Sequence, residues 1–222
     1  MEHNINLLTG MEVKGVHGKN GGVELAFSDG GLISANVLVT CVGVRANVDF
    51  LKGTGIKIGR GIRVDRTMRT SLEDIYAAGD VVEAPDFFNA TYGMNPIILS
   101  AVAQGRVAGS NMAGVPETYR GWTSSNIFTF FGNTAFSVGL SMPAEEGFEV
   151  ITKRDDHRGK YKKLVFDQGR LVGASMINTV VDPGVLLCLI EKGIDVGNEK
   201  ALLFEQPGII SQRIMLENEK KS

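Results

Sequence analysis

The sequence predicts an α/β portion followed by an α+β module. Residues 36–44 (NVLVTCVGV) form a near-continuous apolar run, the mark of a strand covered on both sides. Residues 75–78 read as a second buried strand that ends at Gly79-Asp80, with a helix over 96–113 to follow. Beyond Trp122 several β-segments come first and helices after, the order expected of an α+β layer pair.

Each element has a local justification. Residues 11–16 are short and half-alternating, HGKNGG (17–22) is a turn cluster, and Val23, Leu25 and Phe27 then alternate with polar neighbours. Ser28-Asp29-Gly30-Gly31 makes the next turn, so the first stretch is a β-meander with one buried face. A linker (45–55) leads to short extended pieces around 56–64. After the strand at 75–78, a loop of about fifteen residues runs to Pro96, longer than most connections. The helix over 96–113 has Pro96 at its first turn and Gly114 past its end. Ala101, Gly105, Ala108 and Met112 share one of its faces, small enough for close approach to a sheet or ligand.

Residues 114–122 read as a domain boundary. β-Segments follow at 127–131, 135–140, 148–153, 161–166 and 171–177, with Asp167-Gln168-Gly169-Arg170 as a hairpin turn. Asp182 and Pro183 start a helix as N-cap and first position, and Gly193 stops it. A second helical stretch covers 198–204, and a last one ends in the solvated tail ENEKKS.

Composition narrows the function classes. The 23 basic and 25 acidic residues leave a net charge of -2, which offers no basic stripe for nucleic acid and no polybasic face for a membrane. No apolar run is long enough to span a bilayer, and MEHNINLL lacks the pattern of a secretory signal. A soluble, cytoplasmic chain is expected. Cys41 and Cys188 have no metal-ligand spacing, and both read as buried structural thiols. His3, His17 and His157 sit in polar or turn contexts and read as solvated. The mixed-sign stretch 153–163 (KRDDHRGKYKK) reads as a solvated hairpin loop, with a docking patch for an acidic electron carrier as the alternative.

The sharpest chemical signal is TSLEDIYAAGD (70–80). Small side chains at Ala77, Ala78 and Gly79 leave room for a ligand, and Asp80 presents a carboxylate at a strand's carboxyl end, where open α/β sheets bind ligands. An ionised Asp accepts hydrogen bonds only, which suits sugar or polyol hydroxyls. The same residues are equally compatible with an Asp that caps a turn.

This segment resembles the second flavin-binding motif of the pyridine nucleotide-disulfide oxidoreductase superfamily, in which the Asp bonds the FAD ribitol. VLVTCVGVRAN (37–47) is similar to the strand leaving that family's NAD(P)H domain, with Ala46 where Pro is usual. NPIILSAVAQGRVAGSNMAG (95–114) resembles the helix whose amino end points at the flavin pyrimidine, and residues 123–222 resemble the C-terminal dimerisation domain. The resemblance implies the C-terminal part of an FAD/NAD(P)-binding Rossmann-like domain followed by an α+β dimerisation (interface) domain. The corresponding segments are 1–44, the terminal β-meander of the NAD(P)H-binding domain; 45–116, the C-terminal part of the FAD-binding domain; and 117–222, the interface domain. It also implies Gly79 and Asp80 at the ribitol and Ile97, Ile98 and Leu99 beneath the pyrimidine end, with no metal and no residue needed as general acid or base.

The family's two GxGxxG strand-turn-helix motifs for FAD and NAD(P)H do not occur here. GVHGKNG (15–21) and GTGIKIG (53–59) are glycine-rich turns that open no amphipathic helix. The expectation is therefore a C-terminal fragment, or one product of a split gene, of an enzyme about twice this length. No His lies near the C-terminus to serve a redox disulfide, which points away from glutathione-reductase-like members. It points toward NADH oxidases, NADH peroxidases, coenzyme A disulfide reductases and the rubredoxin- and nitrite-reductase-type flavin subunits. LLFEQPGI (202–209) resembles the segment with which dimeric members cover the partner's flavin. Phe204 stands nearest to the Tyr that coenzyme A disulfide reductases place there, which weakens that substrate. The implied activity is hydride transfer from NAD(P)H to FAD and electron transfer to a separate acceptor, in a homodimer formed through 117–222. The alternatives are a non-catalytic dimerisation module that binds no flavin and a regulatory nucleotide-binding domain.

Overall fold

The computed structural model describes residues 4–143 and 146–220; His3 and the last two residues of the tail lie outside them. The chain divides into two compact units, residues 1–44 and 45–222.

The first unit is the expected meander. Strands β1 (Val13–Lys19), β2 (Gly22–Phe27) and β3 (Leu32–Ala35) pair antiparallel in that order. The first turn is tighter than the glycine cluster suggested. Lys19 pairs with Gly22, so only Asn20 and Gly21 turn the chain, and His17 lies within β1 opposite Glu24. The buried face is narrow: Leu25 is buried, with Val23 and Phe27 only half-buried.

The expected strand at 36–44 does not form. The run takes no sheet partner among the described residues, and Val37, Val39, Val42 and Val44 are 72–90% exposed. Cys41 is therefore exposed rather than buried. A strand covered on both faces needs neighbours on either side and layers above and below. None of the described residues supplies them here.

The second unit opens with a small sheet. β4 (Ile62–Arg63) pairs parallel with β5 (Val82–Pro85), which pairs antiparallel with β6 (Tyr92–Gly93). Helix α1 (Ile98–Met112) packs on it around Ile62, Val64, Met68, Val82, Ala84, Val107, Ala108 and Tyr119. Three expectations change. Residues 75–78 make a single bridge, Tyr76 to Arg69, and are half-buried or exposed rather than a buried strand. The strand lies just downstream, in β5, inside what reads as a long loop. Helix α1 starts at Ile98 with Ile97 as N-cap, so Pro96 precedes the helix. Its buried face runs through Ser100, Gln104, Val107 and Ala108, while Gly105 and Met112 of the small-residue stripe are exposed.

The segment leading out of α1 is stitched to β5. Trp122 donates its backbone N–H to the Pro85 carbonyl at 3.1 Å and its indole N–H to the Ala84 carbonyl at 3.0 Å. A five-stranded antiparallel sheet follows. It is built from β7 (Ser125–Phe130), β8 (Asn133–Gly139), β9 (Glu149–Asp155), β10 (Lys160–Asp167) and β11 (Arg170–Ile177), in the order β7-β8-β11-β10-β9. Gln168 and Gly169 form the β10–β11 turn with φ of 45° and 82°, as the hairpin reading requires.

Three helices complete the unit: α2 (Pro183–Lys192), α3 (Lys200–Glu205) and α4 (Pro207–Glu219). They cover the sheet face that presents Phe136, Val138, Leu164, Phe166, Ala174 and Met176. Alternation along β10 and β11 sends these side chains to one face, and Leu186, Leu189, Leu203, Ile210 and Ile214 meet them. Asp182 caps α2 by accepting from the Gly184 N–H at 2.8 Å, and Gly193 ends it in the left-handed region. Cys188 is half-buried on that helix. Residues 153–163 form the solvated β9–β10 hairpin, with His157 exposed near its tip.

Two substitutions calibrate this layer. Leu189→Ala is expected to lower unfolding stability by about 2–5 kcal/mol through lost burial and a cavity, because Leu189 is completely buried. Asp182→Ala is expected to cost about 1 kcal/mol. Urea unfolding midpoints of the two variants check both magnitudes and their order.

Candidate functional site

The site is assembled by a succession of backbone turns. The Asp65 carboxylate accepts from the Thr67 N–H (2.8 Å), the Thr67 hydroxyl (2.6 Å) and the Arg69 N–H (3.1 Å). Burial opposes ionisation of Asp65, but these hydrogen bonds and the nearby Arg69 charge outweigh it and hold its pKa below the ordinary value. The turn they close places Met68 wholly inside the core, where its carbonyl accepts from the Ala77 N–H at 3.1 Å. Thr70 N–H donates to the Ile75 carbonyl at 2.8 Å, so residues 69–78 fold back on themselves and deliver the chain to Gly79.

Gly79 has φ +88°, a region that only glycine enters at little cost. Its N–H donates to Gln104 Oε1 at 2.8 Å, and its carbonyl accepts from the Val82 N–H at 3.1 Å. The result is a closed four-residue turn with Asp80 at its corner. Asp80 is exposed, and its carboxylate takes no hydrogen bond from the described residues. A Cβ built on Gly79 would meet only the Ala101 Cβ, at 3.8 Å.

Ala101 lies one turn into α1, so the Gly79 turn and the helix start are neighbours. Ile97 is extended (φ -132°, ψ 151°) and no side chain caps the helix. The first-turn N–H groups therefore remain for an outside acceptor, at the positive end of the helix dipole. Ile98 and Leu99 are 81% and 57% exposed. The structure thus brings Gly79 and Asp80 together with Ile97, Ile98 and Leu99. Among the described residues no group of three or more His, Cys, Asp or Glu could hold a metal.

Sequence reasoning missed the polar residues behind this surface. Gln104 and Ser100 are buried on α1, and Asn95 Nδ2 donates to Ser100 Oγ (2.9 Å) and to the Thr123 carbonyl (3.0 Å). Tyr119 is buried in the same core, and that burial raises its pKa. One signal was available: Ser100, Gln104 and Asn111, at spacings of four and seven, are polar residues on one face of the helix. On the far layer, Phe204 is buried with Lys162 Nζ 5.4 Å from its ring centroid, while Leu202 and Ile209 of the 202–209 segment are exposed.

Comparison with known proteins bears on the same segments. The family profile described as pyridine nucleotide-disulphide oxidoreductase matches residues 1–105, and that of the rubredoxin NAD+ reductase C-terminal domain matches residues 125–194. The epsilon subunit of NADH-dependent phenylglyoxylate dehydrogenase from Aromatoleum evansii is 35% identical over 212 residues, covering 94% of this chain and 50% of that protein. The solved NAD-dependent persulfide reductase from A. fulgidus superposes with a TM-score of 0.73 at 27% identity, over 87% of this chain and 39% of its own. An engineered water-forming NADPH oxidase bound to NADPH reaches a TM-score of 0.80 over 99% of this chain and 55% of its own. At 22% identity it speaks to the fold alone. The chain spans half or less of the length of the curated relatives it matches.

The Asp65 turn generates a pH prediction. A carboxylate whose folded pKa is depressed contributes stability above its unfolded pKa and loses it as pH falls through the folded value. Stability is therefore expected to decline as the pH drops below 3.8, and Asp65→Ala should flatten that decline while lowering stability at neutral pH. Thermal melts of both proteins across the acid range measure it.

Proposed function

The chain belongs to the pyridine nucleotide-disulphide oxidoreductase family, and from that premise we propose that it is part of an FAD-dependent NAD(P)H oxidoreductase that passes hydride from NAD(P)H to flavin and electrons to a separate acceptor. The observation that carries the reading is the Gly79 turn. It holds an unclaimed carboxylate beside an uncapped helix start, with the two joined by the Gly79–Gln104 hydrogen bond.

These residues fit the group. Asp80 is an acceptor for ribityl hydroxyls, and Gly79 has no side chain to keep the polyol at a distance. The first-turn amides of α1, at Ile98 and Leu99, offer donors and partial positive charge beneath the pyrimidine end. The exposed side chains of Ile98 and Leu99 are apolar surface that would exclude water once covered. When bound, the flavin supplies the hydride and electron chemistry, and the protein supplies orientation and charge. No side chain at this surface is assigned a proton-transfer role.

The 222 residues contain no GxGxxG strand-turn-helix for either dinucleotide, so the chain alone is assigned no turnover. The C-terminal module, residues 117–222, is assigned a dimer contact. A specific observation favours a second reading, a dimerisation module that binds no flavin. Ile127, Phe128 and Phe130 on the edge strand β7 are 58–62% exposed, an apolar surface suited to protein contact.

Titration of the purified chain with FAD, followed by flavin fluorescence and sedimentation, separates the two. The proposal expects saturable binding that Asp80→Ala weakens about tenfold, the cost of hydrogen bonds to a charged acceptor. A clean dimer with no saturable binding would sink it in favour of the second reading.

A further inference from the structure

We propose that Gln104 is the positioning residue of this half-site, holding the Gly79 turn in the orientation that presents Asp80 beside the start of α1. The inference rests on the flavin reading of that surface and adds the residue that sets its geometry.

A buried primary amide is costly unless both its ends are satisfied, and Gln104 is only 3% exposed. Its Oε1 accepts from the Gly79 N–H at 2.8 Å, and the Tyr119 side chain, itself 6% exposed, belongs to the same core. Ser100, one turn earlier on the same face of α1, accepts from Asn95 Nδ2, which also reaches the Thr123 carbonyl. The buried polar side chains of α1 therefore fasten the helix to the Gly79 turn at one point and to the chain just before the helix at another.

Sterics do not choose the orientation of Gly79. Glycine has the widest backbone freedom of any residue, and the nearest atom to a Cβ at this position is 3.8 Å away. The hydrogen bond to Gln104 selects one state from that freedom. It turns the Gly79 N–H inward, and the Gly79 carbonyl then closes on Val82 at 3.1 Å with Asp80 left at the outer corner.

The test combines FAD titration of the chain with amide residual dipolar couplings of residues 79–82 in the flavin-free protein. The variants are Asp80→Ala, Gln104→Leu, Gln104→Glu and Gln104→Met. Gln104→Leu fills the space but cannot accept, so it should change the couplings and weaken FAD binding roughly tenfold. Gln104→Glu keeps an acceptor for the Gly79 N–H in both of its protonation states. It should retain the wild-type couplings that the Leu variant loses, which separates the hydrogen bond from the volume of the side chain. Gln104→Met, which also fills the space without an oxygen acceptor, should shift both readouts in the same direction and stands in if Gln104→Leu does not fold. Unchanged couplings in Gln104→Leu, or in Gln104→Met where it stands in, overturn the proposal whether or not FAD binds. Changed couplings with unaltered FAD affinity also overturn it, while weakened binding by Asp80→Ala would leave the flavin reading standing. If the wild type binds no FAD, the flavin reading fails and the couplings alone decide whether Gln104 sets the turn.

Discussion

The hydrogen bond from the Gly79 N–H to Gln104 joins a loop to a helix, and much of the second unit is organised around that junction. On the loop side, the chain from Asp65 to Gly79 has almost no regular structure of its own. It is ordered by turns: Asp65 closing on Thr67 and Arg69, Met68 buried beneath Ala77, Thr70 returning to Ile75. On the helix side, α1 presents Ser100 and Gln104 inward where an apolar stripe would be the simpler solution. Buried polar groups are tolerated when every one finds a partner. This set links the loop, the helix and residues 119–123 into one body, with the buried Thr123 hydroxyl as the member that has no partner among the described residues.

The C-terminal module is organised by a different constraint, the helix-covered face of its sheet. Helices α2, α3 and α4 lie on one side and meet the apolar side chains of Phe136, Val138, Leu164, Ala174 and Met176, while Val165 on β10 is equally buried outside that cluster. Lys162 is an exception that ties the layers together. Its ammonium donates to the Phe204 and Glu205 carbonyls, the orphan acceptors at the end of α3, at 2.9 and 3.1 Å. Burial lowers its pKa, because the ammonium gives up water on entering the space between sheet and helix. A long side chain with a polar head thus serves where an apolar one would leave two carbonyls unsatisfied.

Legibility followed the range of the forces involved. The β10–β11 hairpin, the Asp182 cap, the Gly193 stop and the meander depend on residues a few positions apart, and each was readable. The buried strand expected at 36–44 and the one expected at 75–78 were not, because an apolar run reports a preference for burial without naming the layers that provide it. The displaced strand β5 shows the same limit. Val82–Pro85 is strand because Ile62 and Gly93 lie beside it, and both partners are set by tertiary packing. The small-residue stripe on α1 was a genuine periodicity, yet the face that packs is the adjacent one carrying Ser100 and Gln104.

The sequence by itself determined the local pieces from which the proposed half-site is drawn: Gly79-Asp80 after TSLEDIYAA, a helix opening near Pro96, and the α+β order of the second half. These are local patterns, fixed by turn chemistry, capping and periodicity. Only the tertiary structure decided that Gln104 reaches Gly79 across twenty-five positions, that Cys41 is exposed, and that the Val37–Val44 run has no sheet partner among the described residues. A hydrogen bond between distant residues and the burial of an apolar run both depend on which surfaces meet, and that is a property of the folded chain rather than of any window within it.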